Sequence, residues 1–171
     1  MTAPNKITVI LIRGLLGMIF SRGMDSLAAR LKAAGYNVQV WNHSFLPIWP
    51  FWFGFVPSIA AEVERLTKAG QTVLIGGHSF GGTAALMVAR RLPKWACKAL
   101  FAVDPAAQYD CSVPSNVEHA FGFRNSVGGL GQGKLTPARP GVVDIPLAQI
   151  HGYMDDDKRV QDRIIAEVKA L

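Results

Sequence analysis

Ser79 is the residue of this 171-residue chain with the clearest chemical meaning. It stands two positions from a glycine on either side, in Gly77-His78-Ser79-Phe80-Gly81. An apolar run at 72–75 precedes the segment and a helical pattern at 81–92 follows it. A Gly-x-Ser-x-Gly turn between strand and helix is so sharp that a Cβ at either glycine would meet neighbouring backbone. The turn holds the hydroxyl clear of the sheet, at the positive end of the helix. A serine hydroxyl is a weak nucleophile until a base takes its proton, and an imidazole base needs an acid to fix its tautomer. The chemistry to look for is attack on a carbonyl, and its remaining parts are a histidine and a carboxylate at the same rim of the sheet.

In open α/β sheets that rim is the carboxyl ends of the strands. Of the four histidines, His78 is inside the turn with its ring directed away from Ser79, and His119 starts a strand. His43 follows a strand but precedes the serine. His151 closes the last strand-like run, in Ile150-His151-Gly152-Tyr153, and is the expected base; the plainer alternative is a residue that only caps the final helix region. Asp104 ends the fourth strand-like run, in Ala102-Val103-Asp104-Pro105-Ala106, and is the expected orienting acid. Asp110, six residues on, is its main rival, and a turn-capping Asp104 is the plain alternative. Asp144 falls at the start of a strand, Asp155 is assigned to the start of the last helix, and Arg124-Asn125-Ser126 offers no acid.

The resulting order, Ser79, Asp104, His151, is that of the α/β-hydrolases. Gly77-His78-Ser79-Phe80-Gly81-Gly82 resembles the nucleophile elbow of that superfamily, and the chain is similar to its minimal, nearly capless lipases and esterases. Val103-Asp104-Pro105-Ala106 resembles the acid-bearing turn of those lipases that place the Asp directly after the strand following the elbow strand. Many relatives place it one strand later, where this chain has Asn125. The resemblance implies a three-layer α/β sandwich with a mostly parallel sheet of about six strands. It also implies an oxyanion hole formed by the amides of Phe80 and of Leu15, in Arg13-Gly14-Leu15-Leu16-Gly17. The family's usual histidine in that loop is Arg13 here, a structural pin or a contact for an anionic substrate group.

The elements that must position these residues alternate along the chain. Strands are expected at 7–12, 36–41, 72–75, 98–103, 117–123 and 144–150. Helices are expected at 22–34, 57–69, 81–92 and 156–171, with Met24, Leu27, Ala28 and Leu31 on one face of the first. Such alternation gives βαβ crossovers and a parallel sheet covered on both faces. The length suits one domain over 1–171, and 50% hydrophobic with 18% charged residues excludes disorder. Two cysteines, at opposite ends of one strand, make neither a disulfide framework nor a four-cysteine zinc site. The net charge of +6 is dispersed, which argues against a specific nucleic-acid partner. No run reaches the ~20 apolar residues of a membrane span, and the segment 7–20 lacks a good cleavage site, so a cytoplasmic location is expected.

Gly128 to Lys134 imitates a phosphate loop, but Leu135 stands where Ser or Thr is needed. With no dinucleotide motif after the first strand and no histidine cluster, neither cofactor nor metal is expected. The aromatic stretch 45–55, containing Trp49, Trp52 and Phe53, follows the second strand on the active-site side. It is compatible with an acyl pocket, a lid or a peripheral lipid contact, and equally with core packing. The substrate expected is a small carboxylic ester with an apolar part, with Trp49, Trp52, Phe53 and His78 as binding residues. A thioester, an acyl transfer, or a catalytically silent binding domain is the alternative.

Overall fold

The computed structural model describes residues 6–14, 22–42, 51–137 and 139–171, the side chains of 51–53 excepted. Six strands form one parallel sheet in the order β2-β1-β3-β4-β5-β6. They are β1 (Ile7–Ile12), β2 (Asn37–Trp41), β3 (Thr72–His78), β4 (Ala99–Val103), β5 (His119–Asn125) and β6 (Val142–Leu147). The α-helices among the described residues are α1 (Arg22–Ala33), α2 (Phe51–Lys68), α3 (Phe80–Arg91) and α4 (Lys158–Lys169). No helix among them is long and apolar enough to cross a membrane.

Strand periodicity divides the apolar side chains into two layers. Ile10, Ile12, Val73, Ile75, Leu100 and Ala102 pack against α2 and α3. The alternate residues, among them Val9, Leu11, Leu74, Phe101 and Val103, pack against α1 and α4. Both faces of β1, β3 and β4 are therefore buried, which is why these strands read as unbroken apolar runs. Among the described residues no helix joins β4 to β5 or β5 to β6; the segments 104–118 and 126–141 do so. Val113, Val117 and Leu135 of these segments are buried with the α2/α3 layer. Cys97 and Cys111 are free and buried, and burial pushes the Cys97 thiol up to about 12.

The order 2-1-3 places a switch in winding direction between β1 and β3, so the segments that leave these two strands diverge and open a crevice. Ser79 follows β3 and Arg13-Gly14 follows β1. The six-stranded α/β arrangement agrees with the expectation above.

Two expectations require correction. Helix α2 begins at Phe51, six residues before Pro57, so the end of the aromatic stretch is helical rather than loop. The proline ring removes one backbone bond of the helix. The apolar register nevertheless runs through it: Val56, Ile59, Ala60 and Val63 are buried, and Phe55 meets Trp41 edge-on at 6.3 Å. The Ser58 hydroxyl donates to the Gly54 carbonyl at 2.8 Å within the same turn. Asp155 is not a helix-start residue but is fully buried. Asp157 caps α4 instead, its side chain accepting from the Arg159 amide. Capping by Asp is favoured because the first-turn amides lack intrahelical acceptors.

Candidate active site

Ser79 occupies the turn between β3 and α3 with φ 57° and ψ −125°, a conformation that costs on the order of 1–3 kcal/mol for a residue with a side chain. The turn is held from both sides. The Ser79 amide donates to the Val103 carbonyl at 2.9 Å, and the Thr83 amide donates back to the Ser79 carbonyl at 3.1 Å. A Cβ on Gly77 or on Gly81 would collide with the Ile12 carbonyl oxygen, so both positions admit only glycine while β1 lies this close. These contacts aim the hydroxyl at His151.

His151 opens a short 3₁₀ turn, His151–Tyr153, after β6. Its Nε2 is 2.9 Å from Ser79 Oγ, and its Nδ1 is 2.7 Å from Asp104 Oδ2. Asp104 is completely buried and has φ 44°. Its Oδ1 accepts from the Asn125 amide at 2.9 Å and the Gln132 amide at 2.8 Å; its Oδ2 accepts from Asn125 Nδ2 at 2.7 Å. Burial alone would raise the pKa of this carboxyl. The hydrogen bonds from His151, Asn125 and Gln132 outweigh it and hold the pKa below the usual carboxylate value. Asp110 is placed elsewhere: its exposed carboxylate takes Arg90 Nη2 at 2.9 Å and the Ser112 amide at 2.8 Å.

His78 lies behind His151, with ring centroids 4.8 Å apart and only 2% of the residue exposed. It contributes to the cavity wall, but its Nε2 is 3.0 Å from the His151 carbonyl and its Nδ1 is 3.7 Å from Asp155 Oδ2. The structure thus ties His78 to the base-bearing turn. Burial, reinforced by the nearby His151, pushes its pKa down to about 4, against the weaker pull of the His151 carbonyl and Asp104. The buried ring stays neutral while an unfolded chain would gain a proton on it near 6.5. Stability is therefore lost as pH falls from about 6.5 toward 4, by roughly 3 kcal/mol over the whole window. His78→Gln, which keeps a donor for the His151 carbonyl, is expected to remove most of that slope. Urea unfolding of both proteins at neutral pH and near the bottom of the window checks this; parallel pH dependences would refute it.

A cavity of about 520 Å³ opens beside Ser79, with Phe80, Ala106, Leu130, Gly131 and Ile150 among its walls. Phe80 meets Tyr109 edge-on at 5.7 Å. Leu130 and Ile150 are largely exposed at its rim. Arg13, next to the wall residue Gly14, forms an ion pair with Asp25 of α1. His43, Leu15 and Trp49 lie outside the described residues, as do the side chains of Trp52 and Phe53 in the first turn of α2. Among the described residues no group of His, Cys, Asp and Glu is arranged to hold a metal.

Three residues of this site were not singled out from sequence. Asn125 appeared there only as the absence of an acid, yet it gives Asp104 two of its hydrogen bonds. Gly131, at φ 80°, presses so close that a Cβ would collide with Asp104 and His151. Gln132 supplies a further amide. The glycine tract at 128–133 was the available signal, since runs of glycine mark close backbone approach as well as loops.

No protein-family model matches the chain, and no curated protein matches its sequence. Solved structures do match. One of the metagenome-derived lipolytic enzymes LipS and LipT superposes with a TM-score of 0.72 at 14% identity, over 99% of this chain and 96% of that one. The esterase domain of a Rhodothermus marinus protein gives 0.69 at 15% identity, over 98% and 88%. The ydeN gene product of B. subtilis gives 0.69 at 12%, over 96% and 99%. At these identities the likeness is one of architecture, and with the parallel six-stranded sheet and its helical layers it establishes that the chain has the α/β-hydrolase fold.

Proposed function

We propose that the protein is a serine hydrolase that cleaves carboxylic esters through an acyl-enzyme on Ser79. The observation that carries this reading is the unbroken hydrogen-bonded line from Ser79 Oγ through His151 to the buried Asp104, at the edge of a cavity with mainly apolar walls. The similar solved structures include lipolytic enzymes and an esterase domain, which is in keeping with it.

In the proposed reaction Ser79 Oγ attacks the carbonyl carbon as His151 Nε2 takes its proton. Asp104 keeps the Nδ1 proton in place and stabilises the imidazolium. The Phe80 amide, at the N-terminus of α3, receives the developing oxyanion. Leu15 is assigned as the second donor on the family resemblance alone. The alcohol leaves with the proton from His151. Water, deprotonated by the same nitrogen, then attacks the acyl carbon, and the acid departs as Ser79 regains its proton. The scheme needs no cofactor. Leu130 and Ile150 at the rim favour an uncharged substrate with an apolar part. The Arg13–Asp25 ion pair favours the structural role for Arg13 over an anion contact.

A fluorophosphonate probe tests the reading. Labelling of the wild-type protein and none of Ser79→Ala is the expected result; a wild-type protein that never labels overturns it. A graded series of esters and thioesters then ranks acyl length and leaving group.

A further inference from the structure

Asn125, the last residue of β5, is 1% exposed and touches neither Ser79 nor His151 by any hydrogen bond described above. Its amide nitrogen nevertheless donates twice, at 2.7 Å to Asp104 Oδ2 and at 2.7 Å to the Leu130 carbonyl. Its amide oxygen accepts from the Gly128 amide at 3.0 Å, and its own backbone N–H donates to Asp104 Oδ1 at 2.9 Å. One side chain thus joins the candidate acid to Gly128 and Leu130, in the middle of the segment that carries Leu130 to the cavity rim. Gln132 closes the same segment onto Asp104 from its far side, and Gly131 packs between them. The titratable groups that face Asp104 among the described residues are His151, in hydrogen-bond contact, and His78, which feels its charge at longer range. The other partners of the carboxylate are amides, which neither gain nor lose a proton over the working range.

An amide is the side chain this position requires. It must donate to a carboxylate and a carbonyl while accepting from a backbone N–H. Leucine has the volume but none of the bonds. Aspartate keeps the acceptor for Gly128, and can donate to Asp104 only while it carries a proton.

We propose that Asn125 is a positioning residue: it holds the Asp104 carboxylate against His151 Nδ1 and fastens the 126–132 segment to that carboxylate. This rests on the hydrolase reading of Ser79. The acid is then in register for the base only when the rim segment is seated.

The test compares Asn125→Leu and Asn125→Asp with the wild-type protein. For a short model ester, Asn125→Leu is expected to lose about 100-fold in kcat through misorientation of the base, with a smaller rise in KM as the wall segment carrying Leu130 loosens. Asn125→Asp sets two carboxyl groups about 3 Å apart that cannot both ionise cheaply, so they share a proton at lower pH. Its activity should therefore fall as pH rises and that proton leaves, a limb the wild-type profile lacks. The low-field NMR resonance of the His151 Nδ1 proton gives a readout independent of turnover. It should be lost or shifted in folded Asn125→Leu and become pH-dependent in Asn125→Asp. Wild-type kcat in Asn125→Leu, or a pH profile of Asn125→Asp that superposes on the wild type, overturns the proposal. Should the fluorophosphonate fail to label the wild-type protein, the hydrolase reading falls, and the proton resonance decides the role of Asn125 by itself. Should Asn125→Leu not fold, the pH profile of Asn125→Asp decides.

Discussion

Ser79→Ala is expected to lower kcat for a nitrophenyl ester by about 10⁵- to 10⁶-fold while the circular dichroism spectrum and unfolding midpoint change little. The loss is large because the remaining parts cannot substitute for the nucleophile: His151 Nε2, 2.9 Å from the hydroxyl, would have only water to activate, and water is not held by the turn. What survives comes from substrate binding and amide stabilisation of the oxyanion. The near-constant stability follows from the contacts of the turn itself. The Val103 carbonyl and Thr83 amide bond to the main chain of residue 79, and alanine keeps both. A variant that retains a tenth or more of wild-type kcat would show that another residue attacks. Stopped-flow detection of a burst of nitrophenolate, present in the wild type and absent in the variant, is the sharper version of the same experiment.

Asp104→Asn is expected to cost about 10⁴-fold in kcat. In the native protein Oδ1 accepts two backbone amides, so an asparagine at 104 would keep its oxygen there and turn its NH₂ toward His151 and Asn125. That NH₂ donates to His151 Nδ1 and so favours the tautomer whose proton is on Nε2, facing Ser79. The base is then unable to take the serine proton. The same NH₂ would face the donor of Asn125, adding a cost to stability. Asp110→Asn should change kcat by less than about twofold, since an exposed ion pair contributes little even to stability. Steady-state kinetics on the two variants make the comparison, and a larger loss in Asp110→Asn would reverse the assignment. The pH dependence has a defined sign. The folded-state pKa of Asp104 is lowered, so its contribution to stability is complete above the ordinary carboxylate range and disappears as pH falls through that lower value. An acid limb of activity near neutral pH therefore cannot come from Asp104.

The central strands were legible because burial on both faces leaves an unbroken apolar run, as in Ile7–Ile12. Helix α1 was legible because Met24, Leu27, Ala28 and Leu31 repeat at helical spacing and are all buried. The beginning of α2 was not. Pro57 is a local stop signal, and only the packing of Phe55 on Trp41 and of Val56 in the core reveals that the helix runs through it. Local propensity yields where tertiary burial offers more than one lost backbone bond.

The residue types at the strand ends placed Ser79, Asp104 and His151 on one rim, since a parallel sheet sends every strand's carboxyl end the same way. The fold class and its chemical class of candidates were thus contained in the order and spacing of residues along the chain. Which carboxylate faces the imidazole was settled only by the folded molecule. So were the place of His78 behind the base, the binding of Asp104 by Asn125, and the pressure of Gly131 against both. Each of these is a contact between segments 20 to 73 positions apart, decided by the register of β4 on β5 and by the path of the segment that follows. Periodicity reports which face of an element is buried; it carries no information on which polar atoms two distant elements bring within 3 Å of each other.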